Sequence, residues 1–222
     1  MPTKWYFCSL RIQSRIFSSY ILYSFHVLNH YTVEITSTEM LIKPTNFMTG
    51  VGNLSDQVFL IDFGLAQLFQ DPSTRRHVPL MSGLKTVGTV AFTSINSHSG
   101  QTQSRRDDLE SLVYSIVYLC RGRLPWQDVV IRGGRAEKYE ATVLKKKIAK
   151  ADTLCQGLPS PFVTFTQYIQ LLDFDEKPRY EYLRALLMRC TTLDDDASDL
   201  ATPPPSLGKV GVPTSFPQGQ RM

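Results

Sequence analysis

The order of apolar and polar residues predicts a mainly helical chain. In SRRDDLESLVYSIVYLCRG, which begins at residue 104, apolar residues recur at intervals of three and four, as on one face of an α-helix. Gly122 follows the last apolar position and predicts where this helix ends. Further helices are predicted over 134–150, over 161–173 and from Pro178, with the proline near the first helical position.

A small amount of β-structure is predicted before these helices. A strand at 46–48, a turn through GVGNLSD and a second strand, QVFLID, form an expected β-hairpin, with Gly50 and Gly52 in the turn. Residues 65–103 show no periodicity and contain several Ser, Thr, Pro and Gly residues, which predicts a long loop. The predicted fold class is mainly α (α+β), a helical bundle with a short β-hairpin.

The two ends of the chain differ from its middle. Residues 1–41 contain no Gly and no Asp, and their apolar run IFSSYILYSFHVLN is too short to span a bilayer. This run predicts one packed helix, and a signal peptide is the alternative because Lys4 precedes it. Residues 193–222 contain three consecutive prolines and few large apolar residues, which is typical of a disordered tail.

Composition limits the classes of partner and compartment. A chain of 222 residues with 42% hydrophobic content can bury a substantial core. The net charge of +4 is too small to favour nucleic acid as the main partner, and no membrane contact is predicted. Four cysteines without metal-ligand spacing indicate reduced thiols and therefore a cytoplasmic or nuclear location.

Candidate phosphate chemistry lies in two short motifs. IKPTNF contains Lys43 and Asn46, and the apolar strand of LIDFG ends in Asp62. A carboxylate and an amide oxygen are ligands that Mg²⁺ accepts. Taken alone, Asp62 has a structural alternative as a turn residue that closes a strand.

These motifs occur in order with GT at 88–89, SIN at 94–96, SRRDDLESL from 104 and LPWQ from 124. Together they resemble the C-terminal lobe of protein kinases, and specifically the casein kinase 1 group. The resemblance covers residues 42–192. It implies a protein-kinase-like helical C-lobe and transfer of the γ-phosphoryl group of ATP to Ser or Thr of proteins, with ATP and Mg²⁺ as cofactors.

The resemblance implies a role for each matched residue of the nucleotide site. Asp62 and Asn46 would hold Mg²⁺, and Lys43 would neutralise charge on the transferring phosphoryl group. Phe63 would pack beneath the site. Gly64 would let the backbone turn into the long loop.

Other matched positions concern the catalytic aspartate of the family. Thr89 would hydrogen-bond that aspartate, and Asp108 would brace the backbone of its loop. This sequence has Leu41 at the aspartate's position, and the chain has no Asp before Asp56. Glu39 is the nearest carboxylate, but it lies two residues away from a position that demands accurate placement.

The sequence also lacks the signature of a kinase N-terminal lobe. Gly50 is the first glycine, so no Gly-rich phosphate loop precedes the motifs, and Lys4 is the only candidate for the lysine of the VAIK-like strand. We therefore expect a truncated kinase form, with the N-lobe missing, that transfers phosphate negligibly. Its alternatives are a pseudokinase-like protein-binding module and a non-functional product of a truncated gene or gene model.

The casein kinase 1 group favours acidic or already phosphorylated proteins, and its anion-binding residues look similar to Arg105, Arg106 and Lys138 here. Charge-assisted hydrogen bonds from arginine to phosphate would give such a preference. The alternative for this basic region is a solvated helix face, and that interpretation is favoured for the triplet at 145–147.

Overall fold

The computed structural model describes residues 42–55, 57–64, 66–86, 88–128 and 134–191. The predicted N-terminal helix, the predicted disordered tail, Glu39 and Leu41 lie outside these residues. The described part contains two strands, β1 (Phe47–Thr49) and β2 (Val58–Leu60), and 3₁₀ turns at Pro44–Asn46 and Gly52–Leu54. It also contains six helices: α1 (Ile95–His98), α2 (Arg105–Arg121), α3 (Arg135–Ile148), α4 (Ala151–Leu154), α5 (Ser160–Gln170) and α6 (Tyr180–Thr191).

The predicted hairpin is confirmed. β1 pairs antiparallel with β2, so that Phe47 lies opposite Leu60. Val58 and Leu60 are buried on one face, which is the alternation expected of a half-buried strand. The first strand begins one residue later than predicted, because Asn46 ends the 3₁₀ turn that Pro44 opens. A side chain at Gly50 would place its Cβ 2.2 Å from the Leu54 carbonyl oxygen, so the turn requires glycine there.

Helix α2 runs through the centre of the core and confirms the strongest helical prediction. It begins where the Ser104 N–H donates to the Asp107 carboxylate at 2.8 Å, satisfying one terminal donor. It ends at Gly122, which adopts a left-handed φ of 72°. Its apolar face is buried and consists of Leu109, Leu112, Val113, Ile116 and Val117.

The C-terminal helices complete the core. Helix α5 packs against both α2 and α6, and the rings of Phe162 and Phe165 stack with centroids 5.6 Å apart. Leu183 of α6 is 0% exposed within this contact. Among the described cysteines, Cys120, Cys155 and Cys190 are free thiols, as predicted.

Several boundaries differ from the predictions. The predicted helix over 134–150 ends earlier, and the short helix α4 follows it after a break at residues 149–150. Helix α6 begins at Tyr180 rather than at Pro178. The long loop is interrupted by α1, whose first turn is capped because the Ser97 N–H donates to the Ser94 hydroxyl. Within the described ranges, every helix is too short or too polar to cross a membrane.

Candidate functional site

The hairpin places Asn46 and Asp62 at the same end of its two strands. The Asn46 carbonyl accepts a hydrogen bond from the Ile61 N–H at 2.9 Å, and the Asn46 N–H donates to the Lys43 carbonyl at 3.0 Å. Asn46 is buried. Asp62, the residue after Ile61, therefore lies beside the turn that Lys43 and Asn46 form.

Asp62 adopts an unusual backbone conformation. Its φ is 67°, in the left-handed region, and its side chain is exposed. Non-glycine residues in this region are uncommon, although Asp is one of the types that tolerate it, and such conformations concentrate at functional sites. An ideal Cβ at the following Gly64 would lie 3.5 Å from the Asp62 Oδ1. Phe63 is 39% exposed, so any packing beneath the site is only partial.

The residues at this end of the hairpin fit a magnesium–phosphate ligand. Among the described residues, no three His, Cys, Asp or Glu side chains converge as a metal cluster would require. One carboxylate and one amide suffice for Mg²⁺, which keeps several waters and takes further ligands from phosphate. Lys43 is half-buried beside the same turn. Asn46 and Asp62 would hold the metal, which would supply charge neutralisation to bound phosphates.

Two other predicted positions, Asp108 and Thr89, lie in α2 and in the loop before α1. Asp108 is buried in the first turn of α2. Two turns further along the same helix, the Ser115 hydroxyl donates to the Ile42 carbonyl at 2.9 Å, so this side of α2 meets the chain just before Lys43. Thr89 is exposed, and its carbonyl accepts from the Thr93 hydroxyl at 3.1 Å. Their expected contacts with the catalytic loop involve residues outside the described ranges and stay predictions.

A groove of about 450 Å³ opens beside the N-terminal turns of α3. Its walls come from the loop before α1, the turn after α2 and α3 itself: Val90, Ala91, Trp126, Gln127, Arg135, Lys138, Tyr139 and Thr142. Trp126 is buried at 1% exposed, whereas Arg135 and Lys138 are exposed. The groove therefore has an aromatic floor and a basic rim.

The floor of the groove is held by a hydrogen bond and by ring contacts. The Trp126 Nε1–H donates to the Ala91 carbonyl at 2.9 Å. The Trp126 ring meets the Tyr114 ring edge to face, with centroids 4.7 Å apart. These contacts join the turn after α2 to the loop before α1 and to α2.

Lys146 lies behind this floor and was missed by the sequence analysis. The predicted solvated face at 145–147 is wrong for Lys146, which is 1% exposed, whereas Lys145 and Lys147 are exposed. Its helical spacing from Tyr139 and Thr142, seven and four residues earlier, places all three on one face of α3. That spacing is the signal by which its burial could have been found.

Burial shifts the pKa values of the groups around Lys146. Desolvation lowers the pKa of Lys146 to about 7, although the Glu110 carboxylate opposes the shift. Desolvation raises the pKa of Glu110 to about 7, and it holds the pKa of Tyr114 well above its usual value. His98 has its pKa lowered to about 4, mainly by burial and then by the charge of Lys146. Charged forms of these groups are therefore costly here.

The structure does not bring Arg105 and Arg106 into the groove that contains Lys138. The Arg105 guanidinium donates to the Asp175 carbonyl at 2.7 Å and lies 4.4 Å from the Phe69 ring centroid. Burial lowers its pKa.

Arg106 lies against the same segment as Arg105, residues 172–175, and not in the groove. Its guanidinium donates to the Leu172 carbonyl at 3.5 Å and lies 5.6 Å from the Phe174 ring centroid. The second cation beside Lys138 in the groove is instead Arg135. Sequence reasoning did not single out Arg135, because it is the helix that brings these two residues, three apart in sequence, onto one face.

A search of models of known protein families finds none that matches this chain. The resemblance to the casein kinase 1 group therefore rests on the sequence motifs alone.

Proposed function

We propose that this chain is a casein kinase 1-like, pseudokinase-type lobe that binds an acidic or phosphorylated segment of a partner protein. The observation that carries the proposal is the groove, in which a buried Trp126 forms the floor and two exposed cations form the rim. Its volume of about 450 Å³ is within the usual range for ligand sites.

The rim suits a phosphate or a pair of carboxylates. Arg135 and Lys138 lie three residues apart on α3 and project from the same face. The planar guanidinium of Arg135 can donate two parallel hydrogen bonds to an anion, and Lys138 adds a point charge. Gln127 lines the same groove and offers polar contacts to the ligand's backbone.

Binding without phosphoryl transfer follows from the residue at the position of the family's base. A kinase uses a carboxylate there to position the substrate hydroxyl and accept its proton, and Leu41 has no atom that can do so. Loss of positioning at the reacting oxygen is expected to remove most of the acceleration. The Asn46–Asp62 arrangement favours a second function, the binding of Mg²⁺ and ATP without turnover.

Binding of an acidic partner can be tested by fluorescence anisotropy with three peptides that differ only at one central residue, which is serine, phosphoserine or glutamate. We expect phosphoserine to bind most tightly. The double variant Arg135→Ala with Lys138→Ala should weaken that binding at least tenfold, which equals about 1.4 kcal/mol.

A matched control separates the groove from general charge. The double variant Lys147→Ala with Lys150→Ala removes the same charge from exposed positions outside the groove. It should leave phosphopeptide affinity within about twofold at 150 mM salt, where distant surface charges are screened. Equal losses in the two double variants would reject the groove as the binding site.

Nucleotide binding and turnover are tested separately. Thermal unfolding is measured with and without ATP and Mg²⁺ for the natural chain and for Asp62→Ala, beside transfer of labelled phosphate to casein. We expect no transfer, and a nucleotide-dependent rise in melting temperature only when Asp62 is intact. Transfer of label that depends on Asp62 would show that Leu41 does not disable the site.

A further inference from the structure

We infer that Lys146 is the positioning residue of the groove and that its ammonium orders the groove walls through a directional chain of hydrogen bonds that passes through the loop before α1 and ends at Ser97 of α1. The consequence for binding rests on the proposed function. The chain of hydrogen bonds itself does not, and it can be tested without a ligand.

The ammonium of Lys146 has a partner for each of its donors. Its Nζ lies 2.6 Å from the Val90 carbonyl, 2.6 Å from the Thr93 carbonyl and 3.2 Å from His98 Nε2. An ammonium has three N–H donors and no lone pair, so this set matches its protonated form. The Tyr114 and Trp126 ring centroids lie 4.8 and 5.1 Å away and cover its remaining sides.

The donation from Lys146 sets the tautomer of His98. Because Nε2 accepts from the ammonium, neutral His98 carries its proton on Nδ1 and donates it to the Tyr139 hydroxyl oxygen at 2.9 Å. The Tyr139 hydroxyl then donates to Thr86 Oγ1, and the Thr86 hydroxyl donates to the Ser97 carbonyl, each at 3.1 Å. Every donor is used once, so the direction of the chain runs outward from Lys146.

Lys146 acts on one residue in each of the three walls of the groove. Val90 is bonded directly, Trp126 lies under the ammonium, and Tyr139 is reached through His98. All three line the groove, whereas Lys146 itself does not. Lys146 therefore acts through other residues, and it shares α3 with the two cations of the rim.

Loss of the proton from Lys146 would reverse the direction of the hydrogen bond between His98 and Tyr139. The neutral amine has two donors, which remain on the two carbonyls, and its lone pair then faces His98 Nε2. The Nε2–H tautomer becomes favoured, and the nearby Val90 carbonyl is a further acceptor for it. His98 Nδ1 then accepts a hydrogen bond from the Tyr139 hydroxyl, and this hydroxyl no longer donates to Thr86.

Groups from three helices and one turn face this centre. Glu110 and Tyr114 come from α2, with Asp107 acting on Glu110, and His98 comes from α1. Trp126 comes from the turn after α2, and Lys147 of α3 acts on His98. Burial lowers the pKa of Lys146 to about 7, against the opposing charge of Glu110. His98 itself becomes protonated below about pH 4, so the outward chain of hydrogen bonds is present between about pH 4 and 7 and is lost as pH rises through about 7.

The ligand-independent test is long-range ¹H–¹⁵N NMR of the histidine rings, with the His98 signals assigned by their loss in His98→Gln. We expect the Nδ1–H tautomer at pH 6 and the Nε2–H tautomer at pH 8.5. Lys146→Met should show the Nε2–H tautomer at both pH values, and Lys147→Met should behave as the natural chain. An Nε2–H tautomer of His98 at pH 6 in the natural chain would overturn the inference.

The functional test uses a rhodamine-labelled peptide rich in glutamate, whose carboxylates do not titrate between pH 6 and 8.5. We expect affinity of the natural chain to fall at least fivefold across this range. Tyr139→Phe removes only the hydroxyl that links His98 to Thr86, so it should bind at the weaker level throughout and show no slope. An unchanged pH dependence of affinity in Tyr139→Phe would refute the role of the hydrogen-bond chain. Absence of peptide binding at pH 6, with the expected histidine tautomers, would instead reject the proposed function alone.

Discussion

Replacing Glu110 by Gln is expected to make the protein less sensitive to rising pH. The Glu110 Oε1 accepts the Ile95 N–H at 3.1 Å and also accepts the Tyr114 hydroxyl. A glutamine carbonyl can accept both bonds without carrying charge, so Gln imitates the protonated acid. Burial raises the pKa of Glu110 from 4.5 to about 7.

The sign and size of the effect follow from this raised pKa. Below pH 4.5 the carboxyl is protonated in both the folded and the unfolded chain, and its contribution to stability is fully present. Between pH 4.5 and about 7 the unfolded chain ionises first, so the folded state loses this advantage as pH rises. At about 1.4 kcal/mol per pH unit the whole window corresponds to about 3 kcal/mol. Glu110 is only half-buried, so water screens part of this and we expect roughly 1–3 kcal/mol.

Urea unfolding monitored by far-UV circular dichroism at pH 5, 6, 7 and 8 measures this contribution. The free energy of unfolding of Glu110→Gln, relative to that of the natural chain, should rise from pH 5 to about pH 7 and change little further by pH 8. Glu140→Gln is the matched control, because Glu140 is exposed on α3, and its difference from the natural chain should stay within about 0.5 kcal/mol. A difference for Glu110→Gln that does not vary with pH would refute the reasoning.

Three further substitutions test the packing and the backbone. Leu183→Ala should lower the free energy of unfolding by about 2–5 kcal/mol, because Leu183 is 0% exposed. Leu171→Ala should change it by less than about 0.5 kcal/mol, because Leu171 is 82% exposed; equal losses in urea unfolding would contradict the assigned core. Arg75 has a φ of 59°, so Arg75→Gly should stabilise the protein by roughly 0.5–1 kcal/mol in the same assay, and a loss of stability would argue against strain at this position.

Local patterns predicted the parts of the fold that local forces determine. The hairpin and α2 were predicted because strand alternation, the glycine at 50 and the apolar spacing of α2 act over short stretches of sequence. The start of α6 was misplaced by two residues, since a proline permits a helix start without fixing it. Helix α4 was missed because four residues carry too little periodicity to detect.

The candidate sites also include residues that local sequence predicted and residues that it did not. A single hairpin pairs Asn46 with Ile61, the residue before Asp62. Sequence order alone therefore indicated that Asn46 and Asp62 lie near each other. The environments of Arg135 and Lys146 depend on contacts of α3 with the loop before α1 and the turn after α2. The loop lies far from α3 along the sequence, so local patterns could not predict these contacts. Basic residues on an amphipathic helix are usually solvated, and Lys146 differs from its exposed neighbours because it shares a helix face with Tyr139 and Thr142 that tertiary contacts bury.

The hydrogen bond between Ser115 and Ile42 joins positions 73 residues apart, and this separation has a consequence for the order of folding. Closing so long a segment costs more conformational entropy than forming the contacts of α5 with the adjacent α6. We therefore expect the helices to assemble first and the hairpin, which carries Asn46 and Asp62, to dock last. In stopped-flow experiments Ser115→Ala should speed unfolding and leave the folding rate nearly unchanged, whereas a slower folding rate would place this contact in the folding nucleus. On this expectation, the chain acquires its candidate nucleotide site only after the groove beside α3 is already in place.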